Sequence, residues 1–124
     1  MRIVISNTSG VPIYEQIVRQ ITEAIVSGEL QAGSPLPSLR ELARDLRVSL
    51  ITTTRAYSDL ANHGFIVNVP GKGSFVQERS LELTREHYLV RIEEHLRQAA
   101  ALAQVAGITR NELDNMLNII LRGD

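Results

Sequence analysis

Between Leu46 and Leu50 the chain has three residues in which to end one helix and begin another. Before this gap, Ser38-Leu39-Arg40-Glu41 is a capping box: serine and glutamate each satisfy the other's backbone N–H at a helix start. Leu39, Leu42, Ala43 and Leu46 give that helix one buried side. After the gap, Ser49 is an N-cap, and a helix from about Leu50 to His63 runs until Gly64. Few folds accommodate two capped helices so closely joined, and the flanking segments narrow the choice.

Upstream, Pro12 opens a helix whose Ile13, Ile17, Ile21 and Ile25 recur every four residues on one apolar face, with Gly28 placed to cap its end. Residues 1–10 read as a loose polar arm. Residues 29–37 hold Gly33, Pro35 and Pro37, too many breakers for a helix. Downstream, Phe65–Val69 and Ser74–Gln77 alternate in polarity and are joined by Pro70-Gly71-Lys72-Gly73, which predicts a β-hairpin with a glycine turn. Three helices followed by a hairpin is the order of a winged helix-turn-helix. The fold expected is mostly α with one small β-hairpin: a DNA-binding domain over residues 1–78 and a two-helix tail over 79–124.

A recognition helix packs one side on its domain and turns the other to the major groove. At 100° per residue, Thr53, Ala56, Tyr57 and Leu60 fall together on the core side. Arg55 lies nearly opposite, with Ile51 and Ser58 beside it and Thr52 and Thr54 flanking. Ser49 and Leu50 form the tip that enters first. Arg55 is the leading base-reading candidate, because a guanidinium fork matches guanine O6 and N7. The hydroxyls of Ser49, Thr52, Thr54 and Ser58 suit phosphates or base edges, and Leu50 and Ile51 suit a thymine methyl. Arg40 starts the helix that crosses the backbone, Arg47 sits in the tight turn, and Lys72 projects from the hairpin between Gly71 and Gly73.

Charge tempers this reading. The chain has a net charge of −1, whereas many DNA-binding domains are plainly basic. Between Leu30 and Gln77, five Arg and Lys face three Asp and Glu. So small an excess predicts modest non-specific affinity and more than one copy per site. With no cysteine, disulfides and thiolate zinc sites are excluded. His63, His87 and His95 make no metal signature, and His63 reads as a helix cap or phosphate contact. No cofactor is expected. No nucleophile–base constellation or phosphate-binding loop points to an enzyme. No apolar run has the roughly 18 residues of a membrane span, so a cytoplasmic location is expected.

The runs Pro-Ile-Tyr-Glu-Gln-Ile (12–17), Ser-Gly-Glu-Leu-x-x-Gly (27–33), Leu-Pro-Ser-x-Arg-Glu-Leu-Ala (36–43), Val-Ser (48–49) and Gly-Lys-Gly-Ser-Phe-Val (71–76) resemble the DNA-binding domain of GntR-family regulators. Thr-x-x-Arg-Ala-Tyr (52–57) and the short tail resemble the YtrA-like subfamily. The resemblance implies a bacterial dimeric repressor on an inverted-repeat operator, often beside transporter genes. It also implies DNA contacts at Arg40, Ser49, Thr52, Arg55 and the wing from Gly71 to Gly73. Leu50 and Thr54 depart from the arginines many members carry there, so those members' base preference does not transfer. Arg47 replaces a usual glycine in the turn.

In the tail, apolar residues at helical spacing run to a stop at Gly107, and Thr109-Arg110-Asn111-Glu112 is a second capping box. Two helices of this size cannot enclose a drug-sized cavity, which needs about 300 Å³ or more. Their apolar faces call for a second subunit, through Ile92, Leu96, Ala99 and Ala103 on the first helix and Leu113, Met116, Leu117 and Ile120 on the second. A small-molecule effector between two tails stays open. The competing readings are a winged-helix adaptor for protein partners and the DNA-binding fragment of a fused enzyme.

Overall fold

The computed structural model describes residues 1–123. Its elements are α1 (Ile13–Val26), α2 (Leu39–Leu46), α3 (Leu50–Asn62), β1 (Ile66–Val69), β2 (Gly73–Val76), α4 (Leu81–Ala106) and α5 (Arg110–Arg122). They divide into two compact units, Met1–Ser80 and the helices from Leu81 onward.

In the first unit, Ile17 and Ile21 of α1 are fully buried against Tyr57 and Leu60 of α3, Leu42 of α2, and Phe65, Ile66 and Val76 of the hairpin. The wheel drawn for α3 holds: Thr53, Ala56, Tyr57 and Leu60 are its buried residues. Two of them carry hydroxyls, and both find partners. Tyr57 Oη donates to the Pro37 carbonyl at 2.7 Å. Thr53 Oγ1 lies 3.1 Å from the carbonyls of both Leu39 and Leu50. A buried hydroxyl without a partner costs about 1–3 kcal/mol, so these bonds fix α3 on the start of α2. Burial, reinforced by the Glu41 charge, raises the Tyr57 phenol well above its ordinary pKa, and the hydroxyl remains a donor.

Both predicted caps of the helix pair are present. Ser38 accepts from Glu41 N–H, and Glu41 accepts from Ser38 N–H. Ser49 accepts from Thr52 N–H at 3.1 Å. Three helices end alike, with one left-handed residue followed by an N–H that reaches the carbonyl five residues back. The left-handed residue is Gly64 after α3, Gly107 after α4 and Arg47 after α2. Arg47, at φ 57° and ψ 46°, thus occupies a conformation that costs a residue with a Cβ roughly 1–2 kcal/mol.

The hairpin pairs Ile66 with Val76 through Val69 with Gly73. Gly73 is therefore the first residue of β2 rather than part of the loop. Lys72 N–H closes the turn on the Val69 carbonyl at 3.0 Å, with Pro70 second and Gly71, at φ 76°, third, the order of a type II turn. Residues 33–36 are more than a breaker loop. Gly33 and Leu36 donate to β2 carbonyls, and Val76 donates back to Ser34. This extended segment flanks β2, and Pro35, bridged to Phe75, is tolerated because it lies on an edge.

The N-terminal arm is not loose. Gln20 binds both the N–H and the carbonyl of Val4, at 2.9 and 2.7 Å. Gln16, itself buried, does the same to Ser6 at 2.8 and 2.7 Å. Two glutamines one turn apart on α1 thus imitate a partner strand, and Ile3 and Ile5 pack against the core.

In the second unit, α4 ends at left-handed Gly107 with Ile108 N–H on the Ala103 carbonyl. The Thr109–Glu112 box then opens α5. Ala103 is the one buried residue among the described residues of α4 and α5. No described helix is long and apolar enough to cross a membrane.

Candidate nucleic-acid interface

Two grooves flank the outer side of α3. One, of about 690 Å³, lies between α3 and the wing; Arg40 at the start of α2 and Pro70 to Ser74 line it. The other, of about 490 Å³, is lined by Ile51, Arg55, Asp59 and Asn62. Leu50, Thr54 and Ser58 line both grooves and form the ridge between them. The ridge is short and uncharged. Thr54 spends its hydroxyl proton on the Leu50 carbonyl at 2.7 Å, which leaves the oxygen to accept. Ile51 stands beside the ridge, 81% exposed.

Cations border this ridge on both sides. Arg40 and Lys72 face the wing groove, and both are exposed. On the opposite side is Arg55. The wheel puts its backbone opposite the core, but its side chain reaches sideways to α1. The guanidinium lies 3.8 Å from the Tyr14 ring centroid, and Nη2 donates to the Tyr14 hydroxyl at 3.1 Å. The remaining predicted contacts scatter. Ser49 and Thr52 bond to each other at 2.8 Å and line neither groove. Arg47 is exposed in the turn and also lines neither.

Tyr14, Asn68 and Ser74 are at the interface and absent from the sequence-based set. Tyr14 packs against the core beside the apolar face of α1. A tyrosine at the helix start must bring its hydroxyl out of the core, and that was the available signal. Asn68 and Ser74 line the wing groove and join across the hairpin, with Ser74 Oγ donating to Asn68 Oδ1 at 2.6 Å. His63 Nδ1 sits 2.8 Å from the Asp59 carbonyl, so its ring caps the end of α3. Arg79 clasps the same end, bonding to the His63 carbonyl with its guanidinium 4.3 Å from the Phe65 ring centroid. No group of three or more metal-ligating side chains occurs among the described residues.

The tail surfaces predicted to pair are accessible, with one exception. Ile92, Leu96, Met116, Leu117 and Ile120 are between 46% and 70% exposed. Ala99 is exposed and Leu113 partly so. Ala103, at 6%, is already covered in the single chain and offers little to a partner.

Residues 13–76 match the model for bacterial regulatory proteins of the gntR family. Over 112 residues the chain is 33% identical to the HTH-type transcriptional repressor YtrA of Bacillus subtilis, covering 90% of this chain and 86% of that protein. Other relatives match over 70 to 78 residues, and the chain spans 15% to 60% of their length. Among solved structures, a transcriptional antiterminator from Listeria monocytogenes EGD-e superposes with a TM-score of 0.76 at 30% identity, covering 97% of this chain and 90% of that one. The AraR DNA-binding domain in complex with an operator superposes with a TM-score of 0.55 at 26% identity, covering 61% and 95%.

Proposed function

This chain belongs to the gntR family of bacterial regulatory proteins, and we propose that it acts in the cytoplasm as a dimeric repressor on an inverted-repeat operator. It is a sequence-specific DNA-binding transcription regulator with a winged helix-turn-helix. The observation that carries the mechanism is the uncharged ridge of Leu50, Thr54 and Ser58 between cationic borders. A major groove presents base edges at its floor and phosphates along both walls. Short neutral side chains on the ridge meet the floor through thymine methyls and base-edge donors. Arg40 and Lys72 meet one wall and Arg55 the other.

The tail supplies the second copy. Ile92, Leu96, Met116, Leu117 and Ile120 leave apolar surface that the single chain does not cover. Covering the exposed half of each is worth about 1 kcal/mol, and two-fold pairing doubles the sum. A dimer sets two α3 helices against successive half-sites, which compensates for a weakly charged domain. An effector seated between two tails would act by changing that spacing. The test is selection of duplexes from a random pool, with the mass of the complex measured by light scattering. Two chains on an inverted repeat support the proposal; a single chain on an asymmetric site contradicts it.

A further inference from the structure

We infer that Tyr14 is a positioning residue for DNA binding, holding Arg55 ordered and out of any direct ion pair at the edge of the recognition surface. The inference rests on the reading of α3 as the DNA-facing helix. A solvent-exposed arginine normally samples many rotamers and must be ordered when it meets a phosphate. Arg55 is ordered beforehand by a ring at 3.8 Å and a hydroxyl at 3.1 Å. The ring is itself fixed, because Tyr14 packs against the core in the first turn of α1.

The choice of partner matters more than the order it brings. Asp59 lies one turn along α3 from Arg55 and lines the same groove, the spacing at which helices form ion pairs. No ion pair joins them. Glu15, adjacent to Tyr14, accepts from the Tyr14 hydroxyl on Oε1 at 3.4 Å and turns Oε2 to Arg19 at 3.7 Å, so it reaches Arg55 only through the phenol. A carboxylate in direct contact would have neutralised the guanidinium, whereas an aromatic face and a phenol that relays to Glu15 orient it without a direct ion pair. Of the five N–H donors of an arginine, the hydroxyl takes one, and the stack takes only the face of the plane. The free edge remains for an anion. A purely structural role is redundant, since α1 and α3 already meet through Ile17, Ile21, Ala56 and Leu60 in the buried core.

The test is a double-mutant cycle on the tightest duplex recovered from a random pool. Arg55→Ala should weaken binding about tenfold and lower the salt slope by about one. Tyr14→Leu should weaken it roughly three- to tenfold, and Tyr14→Phe, which keeps the ring, less than either. In the Arg55→Ala background, Tyr14→Leu should have no further effect. Additive losses in the double variant overturn the inference. If Tyr14→Leu does not fold, the Arg55 Nε–H resonance of the free wild-type protein decides. An upfield ring-current shift retained in Tyr14→Phe is expected, and an unshifted resonance overturns the inference. A wild-type protein that binds no selected duplex overturns the DNA reading itself.

Discussion

Unit Met1–Ser80 and the helices that follow it treat apolar residues in opposite ways. In the first, Ile17, Ile21, Leu60, Phe65 and Ile66 are at most 1% exposed. In the second, Leu102, Val105, Ile120 and Leu121 are 70% to 88% exposed. Well-formed caps end helices in both regions, so local signals do not separate them. The contrast lies in tertiary burial: the first unit completes its core within one chain, and the second presents a surface that a further chain would complete. The proposed dimer would turn this contrast into a division of labour between gripping DNA and pairing copies.

The largest expected effect breaks the first side of the contrast. Leu60→Ala removes a fully buried side chain and should cost about 2–5 kcal/mol in urea unfolding. Ile120→Ala, on a 70% exposed residue, should cost little per folded chain but weaken pairing, so that the melting temperature depends less on protein concentration than in the wild type. Equal costs would erase the distinction.

Next in size is Tyr57→Phe, which leaves the Pro37 carbonyl without its donor and should cost about 1–3 kcal/mol. It carries a pH signature. The folded pKa lies above the ordinary value of 10.0, so the stabilisation is complete below that pH and declines as pH rises past it. The alkaline decline should be shallower in Tyr57→Phe, as thermal melts across pH 8 to 11 would reveal.

A stabilising change comes third. Arg47→Gly relieves the one left-handed non-glycine residue among those described and should gain about 1 kcal/mol. Measured beside DNA affinity, it separates strain from function: if affinity holds while stability rises, Arg47 makes no phosphate contact. The smallest effect is on the wing. Lys72→Ala should weaken every duplex alike and lower the salt slope by about one, while leaving tail pairing unchanged in sedimentation.

Local chemistry was legible in the residues, and long-range chemistry was not. Ser38, Ser49, Thr109 and Gly107 announced helix limits because a cap depends on neighbours within a few positions. The buried face of α3 followed from helical period alone. By contrast, the clamp of Gln16 and Gln20 on the arm joins residues 10 to 16 apart in the chain, and glutamine carries no sign of its partner. The pairing of residues 33–36 with β2 was hidden behind Gly33 and Pro35, which read as breakers yet suit an edge. Arg55 showed the limit most plainly. A wheel gives the direction of its Cα–Cβ bond, but a long side chain ends where the nearest aromatic ring holds it.

The central claim, that the first unit grips DNA and the tail pairs the copies, is tested most directly by a Leu117→Glu/Ile120→Glu variant of the full chain. It is compared with the wild type on two duplexes, one carrying a single selected half-site and one the inverted repeat. The account predicts equal half-site affinity for both proteins, with only the wild type gaining affinity on the repeat. A variant that retains the full gain on the repeat, or that loses half-site binding while still folded, would contradict it.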